Sequence, residues 1–128
     1  MVSIHNTLAY HNYLNELKEE PPLEIHENTI LEYIFTNYRG LYESIKDNRL
    51  ITNRLNTSQL TYSLFLKNDT EYNLLNYLVN YKFELNDSNY RLISMNNTEI
   101  IVDNNKVNEF NITEKNIKVG NSIIHLIN

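Results

Sequence analysis

Thr57-Ser58-Gln59-Leu60-Thr61-Tyr62-Ser63-Leu64-Phe65-Leu66-Lys67 is the stretch on which the fold of this chain turns. Leu60, Tyr62, Leu64 and Leu66 alternate with their neighbours, the period of a strand with one apolar face. Leu60, Leu64 and Phe65 also share one face of a helix. The polar start at Asn56-Thr57-Ser58 resembles a helix N-terminus and tips the reading to helix. With that choice the chain divides near residue 83: a helical part before it, short strands after it.

Working backwards, residues 29–48 carry the strongest helical pattern. Thr29 and Glu32 stand at capping-box spacing. Ile30, Ile34, Tyr38, Leu41 and Ile45 form one stripe, widened by Leu31, Phe35 and Tyr42. Gly40 lies inside the stripe and marks either a kink or a close neighbour. Residues 7–20 form an earlier helix with Leu8, Tyr10, Tyr13, Leu14 and Leu17 on one face, ended by Pro21-Pro22. Asp69 is placed to cap a helix over 70–82, with Leu74, Leu75, Leu78 and Val79 inward.

Forwards from residue 83, turn chemistry separates apolar runs. Phe83–Leu85, Tyr90–Met95, Glu99–Val102 and Val107–Ile112 read as strands, broken at Asn86-Asp87-Ser88-Asn89 and at Asp103-Asn104-Asn105-Lys106. Ile117–Val119 and Ser122–Ile127 flank Gly120-Asn121, the clearest hairpin in the chain. The expected fold class is α+β, one domain over 1–128. Helices over about 1–82 pack on a small antiparallel β-meander over about 83–128.

Composition narrows function more than any motif. The chain has 128 residues and a formal charge of −5, with two Gly and no Cys. Disulfides and thiolate metal sites are excluded. With Gly40 and Gly120 alone, no glycine-rich phosphate loop exists. The seven serines carry no nucleophile-elbow pattern. His5, His11, His26 and His125 show no metal-pair spacing, so neither a cofactor nor a metal is expected. Five Asn-x-Ser/Thr sequons follow from the abundance of Asn. The bias towards Asn, Ile and Tyr is that of AT-rich codons, as in many viral, phage and bacterial genomes. Lys is AT-rich too, so an acidic balance points to selection. Met1-Val2-Ser3-Ile4-His5-Asn6 has no basic region followed by an apolar run, and no stretch reaches the ~18 apolar residues of a membrane span. A cytoplasmic location, in the producing cell or in a host, is expected, with no membrane contact.

Two residue classes suggest partners. Glu16, Glu19, Glu20, Glu24, Glu27 and Glu32 are opposed only by Lys18, whereas Arg39, Lys46, Arg49, Arg54 and Lys67 follow with only Glu43 and Asp47 between them. Glu19, Glu20, Glu24 and Glu27 flank the proline break and form a candidate surface for a basic partner, or for the basic stretch of a second copy. The competing account is a solvated helix end. Ten tyrosines with no Trp exceed what a core can hold, because each hydroxyl needs water or a partner. Tyr33 and Tyr77 fall off the apolar stripes and are the interface candidates among them. A non-enzymatic protein–protein interaction module, acting as an accessory, inhibitor or assembly protein, is the expectation. The alternative is a winged-helix-like nucleic-acid binder over Asn56–Met95. Residues 70–82 would be its recognition helix, but they offer Lys82 and no Arg, and the net charge opposes phosphate contact.

Overall fold

The computed structural model describes residues 21–128. The expected helix over 7–20, with Glu19 and Glu20, lies outside them. Among the described residues three short helices come first: α1 (Ile30–Asn37), α2 (Arg39–Ile45) and α3 (Arg49–Leu55). Seven strands follow: β1 (Ser63–Lys67), β2 (Leu78–Val79), β3 (Tyr90–Ile93), β4 (Glu99–Asp103), β5 (Lys106–Val107), β6 (Phe110–Val119) and β7 (Ser122–Ile127). The α+β class stands. The small antiparallel meander does not: the sheet is mixed, seven-stranded, and begins at Ser63, twenty residues earlier than expected.

The expected helix over 29–48 is two helices. Its start is as read: the Thr29 hydroxyl accepts from the Glu32 amide at 3.2 Å, and Glu32 reaches back to the Asn28 amide at 3.1 Å. The break falls at Tyr38 (φ −133°, ψ 66°), whose amide closes α1 on the Ile34 carbonyl while its carbonyl opens α2 at Tyr42. Asn37 Nδ2 and Arg39 Nε donate to the Tyr33 and Phe35 carbonyls, so side chains serve the carbonyls at the end of α1. Gly40 therefore marks neither the kink nor a close approach. A Cβ there would meet only Thr70 Cγ2, at 3.7 Å. Gly40→Ala should stabilise the fold by about 0.5–1 kcal/mol through helix propensity and reduced unfolded-state freedom. Thermal unfolding followed by circular dichroism checks this, and a lowered midpoint would contradict it.

Residues 49–55, between the two helices expected over 29–48 and 57–67, form α3. Asn48 Oδ1 caps it by accepting from the Ile51 amide at 3.2 Å. Asn56 ends a helix rather than starting one. Buried, it accepts from the His26 amide at 2.8 Å and donates to the Glu24 carbonyl at 2.6 Å. The residues that suggested a helix start instead tie the connector 24–29 to the end of α3.

β1 is a central strand, and the alternation of Leu60 to Leu66 was the informative signal. Ser63 to Leu66 are all buried, because layers cover both faces. β1 runs parallel to β7 in the register Leu64↔Ile124 and Leu66↔Leu126. Leu64, Leu66 and Ile124 face Leu31, Ile34, Leu41 and Leu55 of the helices. Phe65 and Ile127 face the other way, into a second cluster with Val79, Leu92, Ile100, Val102 and Val107. A strand buried on both sides loses the apolar–polar contrast by which sequence reveals it.

The strand order is β2-β1-β7-β6-β5-β4-β3. β6 spans ten residues and shifts register twice against β7, between Ile112 and Glu114 and between Glu114 and Ile117. Bulges bend and twist the strand that carries them. The sheet rolls, and its far end returns to its start: the Met95 amide, just after β3, donates to the Leu78 carbonyl of β2 at 2.8 Å. The second cluster fills the interior of this roll. Alternation is clean on its outer strands, with Leu92, Ile100 and Val102 inward and Arg91, Ile93, Glu99, Ile101 and Asp103 outward.

Residues 70–82 contain no α-helix. Asp69 Oδ1 accepts from Glu71 in a local turn, Asn73 caps one 3-10 turn at Leu74–Asn76, and Leu78–Val79 pair with Ser63–Leu64. Tertiary pairing overrides helix propensity here. Phe83–Leu85 is irregular rather than a strand.

Candidate functional site

Five large apolar side chains among the described residues are well exposed: Leu50, Leu60, Tyr81, Ile93 and Ile101. Scattered apolar exposure needs no account, but clustering does. Four of the five converge. Leu50, Leu60 and Tyr81 line one open groove of about 1010 Å³, and Tyr81 and Ile93 line an adjoining depression of about 490 Å³. Met95 and Asn80 border both. Leu50, at 68% exposure, and Leu60, at 51%, are the least covered of the groove's apolar walls.

Two neighbouring segments and a third that is distant in sequence build this surface. Helix α3 supplies Arg49, Leu50, Asn53 and Arg54 along one side. The run 57–62 crosses its end. The third wall follows β2 and is pinned by Ser63, whose hydroxyl donates to the Tyr81 carbonyl at 2.7 Å and accepts from the Phe83 amide at 2.6 Å. The turn between β3 and β4 is fastened alongside: Asn96 Nδ2 and Thr98 Oγ1 both donate to Asn76 Oδ1, at 2.7 and 3.1 Å. These side-chain bonds fix the groove's third wall to β1 and to the turn after β3.

The charge lining the two depressions is of one sign. Arg49, Arg54, Lys82 and Arg91 line them, and no carboxylate does among the described residues. Arg91 is paired with Glu99 at 3.3 Å. Arg49 donates to the Pro21 carbonyl at 2.6 Å. Arg54 is half-buried, and its guanidinium meets the Met95 thioether at 3.5 Å. Thioether sulfur is a weak acceptor. The rest of the basic stretch points elsewhere: Lys46 pairs with Glu43 at 2.7 Å, Arg39 covers the Phe35 ring at 3.7 Å, and Lys67 joins Asp69 and the Phe110 ring.

The residues singled out from sequence do not form one patch. Glu24 and Glu27 are both exposed on the connector that Asn56 fastens. Tyr33 is half-buried against the helical cluster and stands edge-on to Tyr38 at 6.1 Å. Burial first, then Tyr38 and Glu114, raises the pKa of its hydroxyl. Tyr77 packs on the other cluster, stacked on Tyr72 at 5.1 Å and edge-on to Phe110 at 6.0 Å. The Tyr72 hydroxyl donates to the Phe65 carbonyl, and burial holds it protonated well above the usual tyrosine range. Sequence reading missed Leu50, Leu60 and Ile93. Leu50 and Ile93 offered no signal, whereas Leu60 lay within the ambiguous stretch.

A buried polar node sits on β7, inside the roll. His125 is fully buried in the roll, beside the Phe65 ring at 5.1 Å. Its Nδ1 accepts from the Asn116 amide at 3.0 Å, so Nε2 carries the proton and donates to the Phe83 carbonyl at 2.9 Å. Asn116 in turn brackets Leu85, accepting from its amide and donating to its carbonyl. Among the described residues no three His, Asp or Glu side chains come together as a metal ion would require. No described helix is long and apolar enough to cross a membrane.

No protein-family model matches this chain, and no curated protein sequence matches it significantly.

Proposed function

We propose that this chain is a small acidic protein–protein interaction module, non-enzymatic, which docks its partner along the groove between α3 and the β2–β3 corner. The observation that carries the reading is the convergence of Leu50, Leu60, Tyr81 and Ile93 on one surface. Apolar area gathered on one surface is taken out of water only by covering it, and the buried centre of an interface is more apolar than its polar rim. The acidic connector with Glu24 and Glu27 is tied to the end of α3 through Asn56.

The winged-helix reading has lost its recognition helix, because 70–82 is a turn and a short strand. Its nucleic-acid partner stays open to the same experiment. Tagged chain and a Leu50→Ser/Leu60→Ser variant are used for capture from native lysate, with and without nuclease. Both replacements are at exposed positions and should move stability by no more than about 1 kcal/mol together. The expected result is one stoichiometric protein, retained after nuclease and reduced at least tenfold by the variant. Capture that is equal for both forms would remove the groove from the function. Capture that depends on intact nucleic acid would replace the reading with the nucleic-acid one.

A further inference from the structure

We infer that the occupant of the groove is an acidic peptide segment with aliphatic anchors, presented by a different protein. This deepens the interaction reading and rests on it. The sequence pointed the other way, to a basic partner for the connector. The groove reverses that sign. In a chain of net charge −5, the two depressions are lined by four cations and no carboxylate among the described residues. Arg54 decides the chemistry. A half-buried guanidinium whose side-chain acceptor is a thioether has donors left for a stronger acceptor. A carboxylate matches its planar fork, and such charge-assisted pairs are about twice as strong as neutral ones. Lys82 stands across the same groove with no ion pair among the described residues. Leu50, Leu60 and Met95 line the same groove as these two charges, so a segment that carries both Leu or Ile and Glu or Asp satisfies both components at once.

Nucleic acid fits less well. Strand-tracking sites stack bases on aromatic rings, and the exposed apolar residues here are mainly aliphatic: Leu50, Leu60 and Ile93 against Tyr81. The overall negative charge opposes either ligand at long range, so the choice between them rests on the aliphatic walls.

The test is fluorescence anisotropy on the full chain. The probes are a labelled 14-residue peptide of alternating Glu and Leu pairs, the same peptide with Lys for Glu, and a 12-nucleotide single strand. The expected result is saturable binding of the Glu peptide alone, weakened by salt. Arg54→Met/Lys82→Met should weaken it roughly tenfold or more, and Leu50→Ser should weaken it separately. Preference for the Lys peptide, or Glu-peptide affinity unchanged in Arg54→Met/Lys82→Met, overturns the inference. If Leu50→Ser still weakens binding in that case, or if lysate capture remains groove-dependent, the interaction reading survives it. Binding of the single strand that Arg54→Met/Lys82→Met abolishes overturns both. Concentration-dependent dimerisation that the same variant removes assigns the groove to the acidic connector of a second copy and overturns the choice of a different protein.

Discussion

Lowering the pH from 7 to 4 should cost this fold about 3 kcal/mol through one side chain, His125. Burial pushes its pKa down from the ordinary 6.5 to about 4; the charge of Lys115 acts in the same direction, and the bond to the Phe83 carbonyl opposes both. The hydrogen-bond geometry agrees independently. With Nδ1 accepting the Asn116 amide, protonation would set two N–H donors against each other inside the roll. A histidine with a folded pKa below its unfolded value contributes no proton-linked loss above pH 6.5. Between 6.5 and 4 the unfolded chain takes up a proton that the folded chain refuses. Stability then falls by about 1.4 kcal/mol per pH unit, levelling off below 4. Urea unfolding at half-unit steps from pH 7.5 to 4 measures the slope, and His125→Gln supplies the control. Glutamine can accept from Asn116 and donate to Phe83 without titrating, so its curve should lack that component. Equal slopes in both proteins would show that His125 is not the group involved.

What the sequence showed depended on whether a signal was local. Turns are local: Asn104 and Asn105 take positive φ at the expected β4–β5 turn, and Gly120 does so in the terminal hairpin, where Val119 pairs with Ser122. The Thr29 cap was legible for the same reason. β1, buried on both faces, was legible only in part: Leu60 to Leu66 alternate as a strand does, but Phe65, apolar on the opposite face, also completes a helical face with Leu60 and Leu64. The β2 residues looked helical because Leu74, Leu75, Leu78 and Val79 have helical spacing, and only the presence of β1 makes them a turn and a strand. The abundance of Asn was read as codon drift, and the structure adds a physical role. All six described non-glycine residues with positive φ are Asn: 28, 97, 104, 105, 108 and 116. In a chain with two glycines, Asn is the residue that tolerates the left-handed region. The groove was hidden for a different reason. Its walls come from 49–54, 57–62 and 80–95, and no pattern within any one of them announces the others.

Gly120→Ala should destabilise the protein by about 3 kcal/mol or more, the largest loss expected from adding a single methyl group on its surface. Two independent effects add. Gly120 has φ +57°, a conformation that costs a residue bearing Cβ about 1–2 kcal/mol. A Cβ there would also lie 2.2 Å from the Asn28 carbonyl oxygen, well inside van der Waals contact. Asn28 cannot easily retreat. Its own φ is 59°, its amide donates to Glu32, and the next residue is the buried Thr29 cap that starts α1. The β6–β7 turn and the α1 entrance therefore crowd one point, and relief at one strains the other. Gly120→Asn separates the two effects, because Asn tolerates positive φ but carries the same Cβ. It should lose about 1–3 kcal/mol from crowding alone. Chemical denaturation of the three proteins tests this. Asn at wild-type stability would leave only the φ term, and both variants at wild-type stability would mean that the hairpin does not approach Asn28 as described. The expected order is Gly, then Asn, then Ala. It would tie the terminal hairpin to the start of α1, and so to the helical layer whose third helix carries Leu50 and Arg54.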